Sequence, residues 1–312
     1  MIVSGALETR RMELECHLTE PIVDAHHHIW RLSKTPWLQG PPVPRIFGSY
    51  EPLRRDYSIE EFLADATPSG VVRSVFVQVN VASGEEIKEA AWVQSIADRH
   101  GFPHALTAYA DLARPDVGET LDREIACSNT RAIRQQLHWH ENAQYRFAAK
   151  PDVMNDPAWR RGFGALAKRG LMFELQVFAG QMPDAVRLVR DFPDTTFILL
   201  HAGMLADRSD AGWALWRNGM RELAACDNVV VKLSGLGTFE RSCNEASWRP
   251  IVERTLDIFG PSRCAFGSNF PIEKLWTSYA DLAAVMKACL STCSPEERRA
   301  VLHDNAARLY RV

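Results

Sequence analysis

Short runs of β-branched and other apolar residues alternate along the chain with longer stretches whose apolar positions recur every three to four residues. The short runs are Ile22–His28, Val71–Asn80, Ala105–Asp111, Thr130–His138, Leu171–Phe178, Thr196–His201, Asn228–Ser234 and Arg263–Asn269. Between and after them lie the amphipathic stretches Ser58–Asp65, Glu85–Arg99, Asp116–Ala126, Asp156–Arg169, Met182–Arg190, Trp213–Ala225, Ala246–Phe259 and Tyr279–Leu290. Ser58 with Glu61, and Ser294 with Glu297 around Pro295, have the capping-box spacing and predict two helix starts. Eight strand–helix alternations predict an α/β fold, a parallel sheet closed as a single-domain (β/α)8 TIM barrel. An open doubly wound sheet has the same alternation, but no GxGxxG follows the first strand. The 312 residues divide into an N-terminal extension, 1–20, with Met12 as an alternative start, and a barrel, 21–312.

Side chains alternate across a strand, so the aliphatic parity should lie under helices and the polar parity inside the barrel. On that rule Asp24, His26 and His28 face inward from the first strand, and Phe76, Gln78 and Asn80 from the second, with Val75 and Val77 outside. Arg134, Gln136 and His138 face inward from the fourth, Glu174 and Gln176 from the fifth, Lys232 and Ser234 from the seventh. Strand six ends at His201, and strand eight leads through Ala265 and Gly267 to Asn269. Polar residues therefore gather at the strands' C-terminal ends, where barrel active sites are built. Asp24, Arg134, Glu174 and Lys232 put two charges of each sign inside, so some should pair. For the last three a structural ion-pair layer competes with a substrate-binding role.

Lys plus Arg is 36 and Asp plus Glu 39, a net charge of −3, which argues against nucleic-acid binding and supplies no polybasic membrane patch. No membrane-length apolar run or signal-peptide pattern occurs. Seven cysteines, none in CxxC, point to reduced thiols in a cytoplasm. The expected partner is a small molecule; the sequence leaves the oligomeric state open. The Pro-rich stretch Thr35–Pro52 follows the first strand and reads equally as a surface loop or as a lid.

Candidate chemistry begins with DAHHHIW, which sets His26 and His28 at i and i+2, the spacing for two imidazoles to share one ion. With IRQQLHWH (133–140), FELQVF (173–178), LLHAGM (199–204), VVKLSGL (230–236), FGSNFP (266–271) and NAARLY (305–310), the chain resembles the amidohydrolase superfamily. It is most similar to the amidohydrolase-2 branch of fuconolactonase-like and 2-pyrone-4,6-dicarboxylate lactonase-like enzymes. That resemblance implies a hydrolase opening a sugar-acid or dicarboxylate lactone with water, with or without one zinc ion. It matches His26, His28 and His201 to the branch's histidines, as zinc ligands or as catalytic groups, with His201 the leading base in the metal-free case. Where the superfamily offers an Asp on strand eight this chain has Asn269, and an amide is no general base but can orient water. Glu273 is the alternative carboxylate, or a solvated loop charge. Trp30, Gln78, Arg134, His138, Gln176 and Lys232 are the expected substrate contacts, and Trp139 and Phe270 candidate aromatic walls. A metal-dependent decarboxylase, a cyclic amide or imide hydrolase and a non-catalytic binding barrel are the other readings.

Overall fold

The structure, a computed structural model, describes residues 20–312; the expected extension and alternative start at Met12 fall, but for residue 20, outside the described residues. Eight parallel strands follow one another in the order of the chain: β1 (Ile22–His27), β2 (Val71–Val77), β3 (Ala105–Ala108), β4 (Thr130–Ile133), β5 (Met172–Leu175), β6 (Phe197–Leu199), β7 (Val229–Leu233) and β8 (Cys264–Phe266). The ring is drawn together where His28 N donates to Phe270 O (2.7 Å) and Asn269 N to His26 O (2.7 Å). This is the TIM barrel that the alternation predicts. Every strand ends earlier than its apolar run, because the last residues of each run bend away from the sheet to build the C-terminal rim.

The helices between strands are α1 (Ile59–Ala66), α2 (Glu86–His100), α3 (Val117–Ile125), α4 (Pro157–Ala167), α5 (Met182–Asp191), α6 (Asp210–Ala224) and α7 (Glu245–Phe259), with α8 (Tyr279–Cys289) after β8. Their starts follow from local chemistry. The Asp156 carboxylate accepts from Ala158 N and Trp159 N with Pro157 at the first helical position. Ser294 and Glu297 complete both bonds of a capping box at α9 (Pro295–Arg299). At α1 only half the box forms: Ser58 Oγ accepts from Glu61 N, while the Glu61 carboxylate pairs with Arg55.

Two apolar layers hold the barrel. The outer one packs strands on helices, as where Phe163 of α4 meets Phe173 and Phe197 at 5.2 and 5.3 Å. The inner one is made of small or β-branched side chains, Val23, Ala25, Val75, Ala105, Ala132, Ile198 and Ala265, which fit a closed ring. The terminal helix α10 (Asn305–Tyr310) closes the N-terminal end, with Tyr310 O accepting from Arg131 and Val312 O from Arg73. Two parity expectations are corrected here. Val75 belongs to the inner layer and Phe76 to the outer one. In β1 the register slips between Asp24 and His27, so Val23 and Ala25 face in, as do His26 and His28 beyond the slip. Asp24 turns outward instead, accepting from Ser268 N (2.9 Å), Ser268 Oγ (2.6 Å) and Tyr279 OH (3.0 Å), and so ties β1 to β8 and α8.

Candidate active site

The C-terminal rim encloses a cavity of about 450 Å³, within the range of small-molecule sites. His28, His201, Asn269, Trp30, Arg134, His138 and Gln176 line it, with Asn80, Gln136 and Thr238 beside them. His26 lies just behind, its ring 5.1 Å from His28 and 4.9 Å from His201. The structure thus brings the three expected histidines together.

Backbone geometry sets these side chains. The chain turns left-handed immediately beyond β6, with φ 54° at His201 and 47° at Ala202, and Asn80 and Asn269 both have φ 58°. Such strained residues gather at functional sites, and three of these four line the cavity. Opposite, Gly235 (φ +59°) has no room for a side chain, since a Cβ there would stand 2.6 Å from His201 Nδ1.

His26, His28, His138 and His201 are all held in the neutral form at neutral pH. Burial lowers His26 and His201 well below the ordinary imidazole range, and positive neighbours, Lys232 for the first and Arg134 for the second, push them further. His28 and His138 are pulled down to about 3, by burial first and Arg134 next. His28 Nδ1 lies 2.6 Å from the Val77 carbonyl, which can only accept, so the ring proton sits on Nδ1 and Nε2 presents a lone pair. His201 Nδ1 lies 2.9 Å from Ser234 Oγ.

Asn269 stands beside His28 as a hydrogen-bonding neighbour, and its Nδ2 lies 3.5 Å from Glu273 Oε1. Glu273 is no solvated loop charge. It is fully buried, it accepts from Thr238 Oγ1 (3.3 Å) and Trp276 Nε1 (2.9 Å), and burial raises its carboxyl to about 8. It supports the floor of the cavity through Asn269.

Two expected contacts, Gln78 and Lys232, and both candidate aromatic walls, Trp139 and Phe270, lie elsewhere. Gln78 turns its polar atoms to the backbone, accepting from Asn80 N and donating to Arg134 O, and does not line the cavity. Lys232 sits deeper in the barrel, paired with Glu174 at 2.6 Å with neither side chain exposed, as in the structural ion-pair reading. Tyr310 OH (2.6 Å) and Thr107 Oγ1 (2.7 Å) donate to the same Glu174 oxygen. Phe270 packs outward on Tyr279, and Trp139 lies under Arg146 outside the cavity. In their place the Pro-rich segment, folded over the cavity, contributes Trp37, Arg45 and Phe47, and the β4–α4 connection contributes Tyr145 and Phe147. The sequence signal for the first three was the length and aromatic content of Thr35–Pro52 after a barrel strand.

A family model described as Amidohydrolase (Amidohydro_2) matches residues 23–312. The chain belongs to this amidohydrolase family. It is 41% identical over 293 residues to the uncharacterized protein y4mH of Sinorhizobium fredii, covering 93% of this chain and 98% of that one. It is 30% identical over 306 residues to an L-fucono-1,5-lactonase of Burkholderia multivorans, covering 92% and 95%. A crystal structure of an amidohydrolase from Burkholderia multivorans with bound zinc superposes with a TM-score of 0.79 at 27% identity, covering 94% and 99%.

The zinc in that neighbour poses the question of whether this amidohydrolase's donors fit a metal. Among the described residues His26 has no hydrogen-bond partner for either ring nitrogen, and three rings converge. Yet among the described residues no three His, Cys, Asp or Glu side chains are grouped to hold one ion, and strand eight offers an amide instead of a carboxylate. As placed, the expected ligand set His26, His28 and His201 does not make a metal centre.

Proposed function

We propose that this amidohydrolase is a lactonase, opening a small-molecule lactone with water at the C-terminal mouth of the barrel. The observation that carries this reading is the pair of neutral imidazoles at the cavity floor, His28 with a lone pair held outward and His201 beside it. Relatives named L-fucono-1,5-lactonase support it across nearly the whole chain.

Attack by water forms the new carbon–oxygen bond, and the ring ester bond breaks as the tetrahedral intermediate collapses. The water proton passes to a neutral imidazole, and the departing alkoxide takes a proton back, so the product is the hydroxy acid. His201, the leading base, takes the proton from water and, as the imidazolium so formed, returns it to the departing alkoxide, while His28 Nε2, whose lone pair is fixed by the Nδ1 contact, accepts a hydrogen bond from the same water. A developing oxyanion needs a positive partner, and Arg134 supplies one. It is buried beside the histidines, with its Nε free of any hydrogen-bond partner among the described residues. Asn269, placed by Glu273, orients the water without taking its proton. The test is a panel of sugar-acid and carboxylated lactones followed by acid release. Hydrolysis of at least one member is expected, falling at least ~100-fold in His201→Ala, the low end for losing an acid–base group. An intact panel across pH 6–9, with and without added zinc, rejects the lactonase.

A further inference from the structure

The residues that line the cavity include no Asp or Glu among the described residues, yet they include three arginines. Arg146 donates to the His140 and Glu141 carbonyls, which leaves Arg45 and Arg134. No acidic side chain pairs with either guanidinium among the described residues. Each has a buried Nε without a hydrogen-bond partner, and Arg134 is only 4% exposed. The Arg134 guanidinium, buried against this acid-free space, is costly unless an anion joins it, and the half-buried Arg45 faces the same space. They also act on the same region, since both depress the His138 imidazole.

Arg45 is held in place rather than left to wander. Its carbonyl accepts from Gln144 Nε2 (3.0 Å) and Gly48 N (2.9 Å), and its guanidinium lies 5.5 Å from the Trp37 ring centre. The same cavity carries the aromatic faces of Trp30, Trp37, Phe47 and Phe239. Such a space favours a compact ring that carries a negative charge.

We propose that Arg45 is a specificity-determining residue, and that the substrate is a lactone carrying a free carboxylate. The carboxylate meets Arg45, while the ester lies against Arg134 and the histidines. This rests on the lactonase reading for the word lactone, but the anion site stands on its own geometry.

The test compares 3-carboxy-γ-butyrolactone with its methyl ester, which keeps the ring and removes the charge. The expected wild-type enzyme prefers the acid by at least about tenfold in kcat/KM. In Arg45→Gln, KM for the acid rises about 10- to 100-fold with kcat little changed, the range for losing a charge-assisted hydrogen bond. The acid-to-ester preference falls at least about tenfold, and Arg45→Lys restores part of it, because the charge returns without the planar fork. Calorimetric binding of tricarballylate, an uncleavable polycarboxylate, is the second readout, expected to weaken at least about tenfold in Arg45→Gln. Equal cleavage of acid and ester, unchanged by Arg45→Gln, overturns the anion site and leaves the lactonase standing. Failure to cleave either lactone, with tricarballylate binding still dependent on Arg45, overturns the carboxylated lactone as substrate and leaves the anion site; an intact lactone panel as well overturns the lactonase. Tricarballylate binding that is indifferent to Arg45 overturns the proposal whichever lactone is cleaved.

Discussion

Removing Lys232 should damage the barrel far more than it damages substrate binding. Lys232 Nζ stands 2.6 Å from Glu174 Oε1, and neither side chain is exposed. That oxygen also accepts from Thr107 and Tyr310, whereas Glu174 Oε2 has no partner among the described residues. Lys232→Met keeps the stem and deletes the charge, so it leaves a buried carboxylate without its counter-charge. Breaking a buried pair in this way costs about 3–5 kcal/mol. At roughly 2–4 °C per kcal/mol for a domain near this size, the melting temperature should fall by roughly 6–20 °C. The double variant Glu174→Gln/Lys232→Met separates the causes. Glutamine carries no charge to strand, and its carbonyl oxygen still accepts from Thr107 and Tyr310, so at least about 2 kcal/mol should return. Thermal and urea unfolding of both variants and of Glu174→Gln completes the cycle. Because Lys232 does not line the cavity, KM for a cleaved lactone, measured well below the lowest melting temperature, should change less than about threefold. A double variant no more stable than Lys232→Met would refute the stranded-charge argument, and a KM more than about tenfold higher would restore Lys232 as a substrate contact.

Away from the site, Glu124 on α3 is buried with neither carboxylate oxygen partnered among the described residues, and burial raises it from 4.5 to about 9. A folded-state value above the unfolded one means that its stability contribution is full below pH 4.5 and is lost as pH rises towards 9. Glu124→Gln should therefore gain on the wild type by about 1.4 kcal/mol per pH unit across that window, at most about 3 kcal/mol by pH 7. Urea midpoints at pH 5, 7 and 8.5 check it, and a difference independent of pH contradicts it. Asn269→Asp should fold, being nearly isosteric, and should raise zinc content towards one per chain by adding a carboxylate to three nearby imidazoles. Elemental analysis of both proteins after zinc loading and desalting decides, and equal zinc contents refute the idea that the amide keeps the donor set incomplete.

Much of this molecule is legible in the sequence because parallel strands are covered by helices on one side only. The rule separates Ile133 from Arg134, Phe173 from Glu174 and Val231 from Lys232 correctly, since an aliphatic parity there marks the helix side. It cannot see Arg45 reaching the cavity that Arg134 lines, because a loop's route over the rim is set by contacts distant in sequence, such as Arg45 O with Gln144. It also misassigns Asp24, because a one-residue slip in β1 reverses what alternation implies and no residue type announces it. For Glu273 the sequence leaves two readings open, an alternative carboxylate or loop polarity, and only its three donors decide against the second.

The failures share a location. The slip at Asp24–His27 delivers His26 and His28 inward together and turns Asp24 outward to brace β8. Left-handed backbone at Asn80, His201 and Asn269 ends three strands early and turns each side chain to the cavity. A regular strand at any of these places would satisfy the alternation rule better and would aim the same side chain into a wall of the barrel. Local rules are broken here because the mouth needs side chains that a regular pleat cannot aim. The cost of that strain is tolerable only in a barrel whose lower half obeys the rules, with an alanine-rich inner layer and a fully buried Lys232–Glu174–Tyr310 network holding the strands beneath.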